Sequence, residues 1–229
     1  MKKLILSIVA ITAISVGSLF GQTHKMKIET DYGNIIVMLY DNTPLNTNNM
    51  LKVAGEHGYD STLFHRVIPQ FMIQGGDPTS KHAKPGDMLG GGGLGYTVPA
   101  EINDSDYHKR GALAVARDNN PSKAGSSSQF YIVVGKKFTD DELDNLSRRS
   151  GKKYTQEQRD VYRTIGGAPH LDGNYTVFGE VIEGMDVVDK IVAEPRDSSD
   201  RPKKDIRIIS ISEVKKKRSF FGRLFHRKN

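Results

Sequence analysis

The sequence predicts a mainly β domain, either a closed barrel or a sandwich of two sheets, with two flanking helices. Short runs rich in β-branched and aromatic residues recur along the chain, and 23 glycines supply turns between them. Outside one polar segment, only two stretches have the pattern of a helix that packs on such a sheet. With 37% hydrophobic and 26% charged residues, the chain has the composition of a globular protein that buries a core.

The first predicted elements are a hairpin and a helix. Two β-rich runs at 27–30 and 35–40 flank turn residues at 31–34. Thr43 then serves as the predicted N-cap of a helix with Pro44 at its first position, and this helix should end between Glu56 and Gly58.

Six further strands and one short helix complete the domain. The strands are predicted at 63–67, 71–74, 112–116, 130–134, 176–182 and 206–212. In the last strand, period two puts Ile206, Ile208 and Ser210 on one face. A helix over 185–191 should bury its residues at i, i+3 and i+6, which are Met185, Val188 and Ile191.

A polar segment, about residues 137–169, interrupts the β pattern. Capping boxes at 139–142 and 155–158 predict two short exposed helices joined through Ser150-Gly151. We interpret this segment as a helical insertion into the β domain and not as a second domain.

The N-terminus predicts export. Two lysines precede an apolar run at 4–16 and a small-residue segment, which is the pattern of a signal peptide over 1–21 with cleavage before Gln22. The alternative is an uncleaved membrane anchor, although the run is short for a bilayer span. We expect a periplasmic or secreted protein. The absence of cysteine excludes disulfides, thiolate metal sites, a Cys nucleophile and a lipid-modified Cys.

Positive charge is concentrated at the two ends of the chain. Of the formal net charge of +6, the first three residues contribute +2 and residues 214–229 contribute +7, which leaves −3 for 22–213. A nucleic-acid partner is therefore not expected. The tail, 215–229, mixes basic residues with Phe220, Phe221, Leu224 and Phe225, so it predicts weak contact with an anionic membrane surface. The alternative is a disordered solubilising tail.

Three motifs carry a resemblance to a known family. They are FHRVIPQFMIQGGD at 64–77, GALAVA at 111–116 followed by SSSQFYI at 126–132, and LDGNYTVFG at 171–179. Together and in this order they resemble the cyclophilin family of peptidyl-prolyl cis-trans isomerases over roughly residues 26–213. The resemblance implies a closed eight-stranded antiparallel barrel capped by two helices, with a surface groove that binds Xaa-Pro segments of polypeptide clients.

The resemblance also implies the reaction and its residues. Rotation about an Xaa-Pro bond breaks no covalent bond, so no cofactor, nucleophile or metal is expected. Arg66 would stabilise the twisted bond, and Gln74 would orient Arg66 and bond the substrate backbone. The residues expected to line the proline pocket and its adjacent wall are Phe71, Met72, Ala116, Gln129, Tyr131, Leu171 and Tyr175. Tyr131 stands where the family usually has Phe, and Tyr175 where it commonly has His.

Other interpretations of these residues stay open at this point. Arg66 could be a surface ion-pairing residue, and either Phe71 or Met72 could be structural, since neighbours on a strand point to opposite faces. Gly90, Gly92 and Gly95 match a G-x-G-x-x-G phosphate loop, but a turn is the favoured interpretation because no strand-to-helix transition flanks them.

Two other functions compete with the isomerase. One is a non-catalytic proline-binding or chaperone module on the same barrel, and the other is a membrane-tethered partner of one client. We expect the protein to be a monomer. The insertion enters just before the third motif, so it should edge the groove and tune substrate access.

Overall fold

The computed structural model describes residues 24–214. The predicted signal peptide and the basic tail lie outside these residues. Within them, no helix has the length and apolar character needed to cross a membrane. The strands are β1 Lys25–Thr30, β2 Gly33–Leu39, β3 Phe64–Ile68, β4 Met72–Gly75, β5 Thr97–Val98, β6 Ala112–Val115, β7 Gly125–Ser126, β8 Phe130–Val133, β9 Val177–Glu183 and β10 Ile208–Glu213. The α-helices are α1 Pro44–Gly55, α2 Asp140–Ser150, α3 Gln156–Thr164 and α4 Met185–Val192. Two 3₁₀ turns span Pro78–His82 and Pro169–Leu171.

Eight strands form one antiparallel sheet in the order β10-β1-β2-β9-β6-β8-β4-β3. The sheet curls through 249°, so the predicted closed barrel is a slight overstatement. The edge strands β3 and β10 are joined only at a seam, where Leu63 bridges Arg207 and the Phe64 amide donates to the Ile206 carbonyl at 2.9 Å. A continuous ladder does not form, because these contacts involve the first residue of each edge strand, Phe64 or Ile208, and the chain just before it.

The inside of the curled sheet holds the main core, and both flanking helices contribute to it. Helix α1 adds Met50 and Val53, and α4 adds Val188 and Ile191, all at most 1% exposed. These helices therefore cap the sheet as predicted. Met185, the first residue of α4, is only partly buried against this core.

The start of α1 differs from its prediction. Thr43 is the N-cap residue, but its side chain makes no capping bond. Instead the carboxylate of Glu101 accepts from the Leu45 amide at 3.0 Å and the Asn46 amide at 2.9 Å. A negative charge from a distant loop thus satisfies the first amides of the helix and complements its dipole.

Strand β10 breaks the period-two pattern predicted for it. Ile206 and Ile208 are fully buried as predicted, but Ser210 is half-buried and Ile211 takes the next core position. The cause is a bulge, because Glu29 of β1 pairs with Ser210 while Thr30 pairs with Ile208. The extra residue, Ile209, is left outside and exposed.

The insertion forms helices α2 and α3 on the outside of the sheet. Each begins at a complete capping box, as predicted, and α2 ends at Gly151 in the left-handed conformation (φ 73°). The insertion is not exposed throughout, because Leu143 and Tyr162 are fully buried. Its two ends meet where Lys136 and Gly167 exchange backbone hydrogen bonds at 3.2 and 2.9 Å.

Candidate active site

A row of side chains crosses four neighbouring strands on the outer face of the sheet. Arg66 of β3 pairs with Gln74 of β4, Gln74 pairs with Tyr131 of β8, and Tyr131 pairs with Ala114 of β6. Residues directly opposite each other in antiparallel strands share a face, so the register alone brings a cation, an amide and an aromatic ring into one line. This row lies at the floor of a surface groove.

The groove has a volume of about 320 Å³ and is bounded by strands, two loops and a 3₁₀ turn. All nine residues predicted for the site line it: Arg66, Phe71, Met72, Gln74, Ala116, Gln129, Tyr131, Leu171 and Tyr175. Their location is therefore as predicted, and their roles in the reaction stay predictions.

One end of the groove is apolar. Phe71 lies in the turn before β4, where Gln70 has a φ of 59°, so the alternation of a strand does not separate it from Met72. Both belong to one cluster on the outer face, with Leu171 and Tyr131. Opposite faces of a strand, the reason for expecting one of the two to be structural, therefore do not apply to this pair. His170 packs against the Phe71 ring at 5.4 Å between centroids, behind this end.

Arg66 keeps its guanidinium accessible. Its side chain is 43% exposed, and its nearest ion-pair partner is Asp200, with Nε and Oδ2 3.9 Å apart. The predicted bond from Gln74 to Arg66 is absent from residues 24–214. Gln74 instead donates from Nε2 to Oε1 of Gln129 at 3.1 Å. Arg66 is held loosely enough to engage a ligand in the groove.

A strap of four glycines, residues 90–93, forms the other side of the groove. Gln129 donates from its Nε2 to the carbonyls of Gly90 and Gly92, at 2.9 and 2.7 Å. The fully buried Asp77 accepts from the Gly90 amide at 2.5 Å and the Gly92 amide at 3.3 Å. Gly90 has a φ of 96°, and a Cβ at Gly92 would collide with the Asp77 carboxylate, so both positions require glycine.

Asp77 explains why this strap is not a phosphate loop. Burial alone would raise the pKa of Asp77, but hydrogen bonds from Thr79, Gly90 and Gly92 outweigh burial and hold the pKa below its ordinary value. The carboxylate is therefore ionised, and it occupies the amides that a phosphate would need.

The hydroxyl of Tyr131, unusual for the motif, is accommodated by a buried partner. It lies 2.9 Å from Nε2 of His108, whose ring stacks on that of Tyr131. Burial raises the pKa of Tyr131 well above its usual range, so the phenol stays protonated. Tyr175 packs edge-on against the same ring at 6.0 Å between centroids.

Sequence reasoning missed three residues that shape the groove. Asp77 ends the first motif, and its position after two glycines was the available signal. Arg117 follows the second motif; its guanidinium lies 4.6 Å from the centre of the Tyr175 ring and its Nε donates to the Asn174 carbonyl. His108 gave no signal, because its partners are 23 and 64 residues away. Residues 24–214 hold no cluster of three His, Asp or Glu that could bind a metal ion.

Comparison with known proteins decides the family. The family model described as cyclophilin type peptidyl-prolyl cis-trans isomerase/CLD matches residues 25–213. The chain belongs to this family. The resemblance seen in the three motifs of this cyclophilin is thereby confirmed.

Relatives of this cyclophilin include proteins of similar and of much greater length. An Acinetobacter baylyi protein named peptidyl-prolyl cis-trans isomerase is 33% identical over 209 residues, or 87% of this chain and 93% of the relative. A Streptococcus pyogenes protein whose name joins a phosphatase to a peptidyl-prolyl cis-trans isomerase is 37% identical over 196 residues, or 83% of this chain. Peptidyl-prolyl cis-trans isomerase-like 2 of Rhizopus delemar is 36% identical over 187 residues, or 81% of this chain. The chain spans only 38% and 28% of these last two relatives.

Solved structures agree with this cyclophilin in fold. A cyclophilin type peptidyl-prolyl cis-trans isomerase of Cryptosporidium parvum matches with a TM-score of 0.64 and 26% identity, covering 86% of this chain and 100% of that one. The same protein in the presence of the dipeptide Ala-Pro matches with a TM-score of 0.62 and 27% identity, covering 84% and 99%. The similarity extends over nearly the whole described domain.

Proposed function

We propose that this cyclophilin catalyses cis-trans rotation about Xaa-Pro bonds of exported polypeptides, without a cofactor. The observation that carries the proposal is the groove itself, where the accessible guanidinium of Arg66 adjoins the apolar pocket of Phe71, Met72 and Leu171. The Cryptosporidium parvum relative solved in the presence of Ala-Pro supports a proline-containing substrate.

The chemistry requires selective stabilisation of a twisted amide. Delocalisation of the nitrogen lone pair gives the bond a rotational barrier of about 18–20 kcal/mol. A rate enhancement of about 10⁵-fold needs this barrier lowered by roughly 7 kcal/mol. As the bond twists, the prolyl nitrogen regains its lone pair and becomes a hydrogen-bond acceptor. A donor placed there interacts more strongly with the twisted state than with the planar one.

The groove supplies the two groups that this mechanism needs. The Arg66 guanidinium, a planar group with fixed donors, would donate to the prolyl nitrogen. The apolar pocket would hold the proline ring while the preceding carbonyl swings. Gln74 and Gln129, whose amides meet at the floor, would bond the peptide backbone on either side.

The test is NMR exchange spectroscopy of a short Xaa-Pro peptide with the purified protein. We expect wild type to accelerate exchange and Arg66→Ala to lower kcat/KM by about 10²–10³-fold, as when a preorganised donor is removed. Arg196→Ala is the matched control, because Arg196 is another exposed arginine that pairs with Asp200 but lies outside the groove. Equal activity in wild type and Arg66→Ala would contradict the mechanism.

The same experiment distinguishes catalysis from the second candidate function. A non-catalytic proline-binding or chaperone module would bind the peptide, seen as chemical-shift changes at Tyr131 and Met72, without accelerating its exchange. Loss of the Arg66 charge would then alter affinity and nothing else. The supporting observation for catalysis over this alternative is that, among residues 24–214, only a long ion pair to Asp200 holds Arg66 away from a substrate.

Export and membrane-surface contact are further parts of the proposal, and so is a monomeric state. Met26 of β1 pairs with Glu213 of β10, and the Val214 amide donates to the Lys25 carbonyl at 2.8 Å, so the described residues begin and end on neighbouring strands. The sequence of the tail, which mixes basic and apolar residues, favours contact with an anionic surface.

Fractionation tests the location. We expect the wild-type protein outside the cytoplasm, with a part on membranes in the absence of detergent. Truncation after Glu213 should release that part. If wild type and truncation are both fully soluble, membrane contact is excluded; if the protein stays in the cytoplasm, export is excluded.

A further inference from the structure

We propose that the insertion positions the proline pocket through a buried link of four hydrogen-bonded side chains. The link runs from Tyr162 of α3 through Asp172 and His108 to Tyr131 at the groove floor. This proposal rests on the groove being the isomerase site. It assigns the helical insertion a role in the reaction that neither the motifs nor the family similarity provides.

The link is short at each step and sealed from water. Tyr162 donates to Oδ2 of Asp172 at 2.5 Å, and Oδ1 of Asp172 lies 2.7 Å from Nδ1 of His108. Nε2 of His108 lies 2.9 Å from the hydroxyl of Tyr131. Tyr162 and His108 are fully buried, and Asp172 and Tyr131 are nearly so.

Each polar atom of the link has a defined partner. A carboxylate only accepts, so His108 donates from Nδ1 to Asp172, and its backbone amide donates to the same oxygen at 2.8 Å. Nε2 is then free to accept from the protonated Tyr131 hydroxyl. A buried network satisfied in this way has one geometry, because any shift leaves a donor or an acceptor without a partner.

Aromatic rings fix the link from the sides. Tyr107 and Tyr154 pack edge-on against Tyr162 at 5.6 and 5.8 Å between centroids. At the other end, Tyr175 packs edge-on against both His108 and Tyr131. The four side chains therefore move together or not at all.

The insertion also holds the second wall of the pocket. Leu171 lies in the 3₁₀ turn Pro169–Leu171, directly before Asp172. Tyr154 donates to the Pro169 carbonyl at 2.9 Å, so Tyr154 and Tyr162 hold this turn at both ends. Two pocket walls, Tyr131 and Leu171, thus depend on hydroxyls of the insertion.

This arrangement predicts a specific kinetic effect. The pocket walls hold the proline ring equally in the planar and the twisted states, whereas Arg66 acts on the twisted state. Loosening the walls should therefore raise KM and leave kcat unchanged, which is the signature of lost uniform binding. A merely structural loss would lower the unfolding temperature without changing the KM of the folded protein.

The first experiment removes the hydroxyl at the insertion end of the link. We expect Tyr162→Phe to raise KM for an Xaa-Pro peptide about fivefold, the factor for one net hydrogen bond, with kcat unchanged. Tyr107→Phe is the matched control, since its hydroxyl has no hydrogen-bond partner among residues 24–214 although its ring packs in the same cluster. An unchanged KM in Tyr162→Phe would overturn the proposal.

A double-mutant cycle with Tyr131→Phe tests whether the effect of Tyr162 on KM reaches the pocket through Tyr131. If the link carries the effect, the KM of Tyr131→Phe/Tyr162→Phe rises less than the product of the two single effects. A purely multiplicative result overturns transmission. If Tyr162→Phe does not fold, Tyr154→Phe tests instead the Leu171 wall, which Tyr154 holds through the Pro169 carbonyl; KM should again rise, and an unchanged KM would overturn the role of the insertion. Wild-type activity in the same assay is measured first, because its absence would reject the isomerase function and not the link.

Discussion

At the scale of single residues, Asp77 shows how a buried carboxylate shapes a binding surface. It lies under the glycine strap and accepts from two of its amides, while its other oxygen accepts from Thr79. The strap in turn forms one side of the groove. Asp77 is fully buried and does not line the groove, so its contribution is to hold the backbone of the strap in place.

Asp77→Asn should destabilise the protein by about 2 kcal/mol, because an amide nitrogen would face the strap amides and leave a buried donor unpaired. Urea unfolding followed by circular dichroism measures this change. Asp118→Asn is the control, since that carboxylate also belongs to the groove lining but is exposed. Equal stability of the two variants would contradict the assignment.

The lowered pKa of Asp77 also gives stability a dependence on pH. Its folded-state pKa lies below the unfolded value of about 3.9, so its contribution is fully present above that value and is lost as pH falls through the folded pKa. Between pH 5 and the acid limit, wild type should lose more unfolding free energy than Asp77→Asn does. If the unfolding free energy falls equally with pH in both proteins, Asp77 is not the group responsible.

The site residues that lie within contiguous motifs could be predicted from the sequence. Arg66, Phe71, Met72 and Gln74 fall within nine positions, and the register of β3 with β4 brings them together. His108 was missed because its chemistry exists only once three separate segments meet. For the same reason Gln74 was assigned to Arg66, whereas the fold gives it Gln129 as its partner.

At the scale of elements, the two insertion helices depend on their caps. Both are polar and expose most of their surface, so local signals contribute a large share of their stability. The capping boxes are sequence-local, and this is why both helices could be predicted from the sequence.

Removing the cap hydroxyl of α2 tests this dependence. Thr139→Ala should lower the unfolding free energy by about 1 kcal/mol, because the Glu142 amide loses its acceptor. Thermal unfolding measures the loss. Ser147→Ala, a substitution inside the same helix whose side chain makes no hydrogen bond among residues 24–214, should be neutral or stabilising, and a loss equal to that of Thr139→Ala would argue against the cap.

Long-range pairing limits prediction at this scale as well. The N-cap of α1 is satisfied by Glu101, which lies 55 residues beyond Asn46. The bulge in β10 exists only in its pairing with β1, so a period-two pattern could not locate it. The local sequence pattern therefore located these two elements. It did not identify the residue that accepts from the first amides of α1, or the position at which the bulge changes the buried face of β10.

At the scale of the whole molecule, the seam between β3 and β10 is the place where the curled sheet lacks a continuous ladder. Arg207 reinforces it by donating from Nη1 to the Ser61 carbonyl at 2.7 Å, while its amide donates to Asp31. The family resemblance implied eight antiparallel strands, but their order across the sheet was not predicted, because strand order depends on contacts between distant segments.

Arg207→Ala should open this seam locally. We expect the Phe64 and Ile208 amides, which bond across it, to exchange with solvent about fivefold faster, as for the loss of one net hydrogen bond. Native-state hydrogen exchange measures the rates. Lys204→Ala is the control, since that exposed lysine lies over the Tyr32 ring beside the seam. Faster exchange throughout the sheet would indicate global destabilisation and contradict a local seam.

The glycine strap has a consequence for the thermodynamics of peptide binding. Glycine loses more conformational entropy on ordering than any other residue, and four in succession would ordinarily make a flexible loop. Here Asp77 and Gln129 order the strap in the folded protein before any peptide arrives. The entropic penalty thus falls on folding and not on association, so a peptide should bind a preorganised groove with a smaller loss of entropy than it would on a flexible loop.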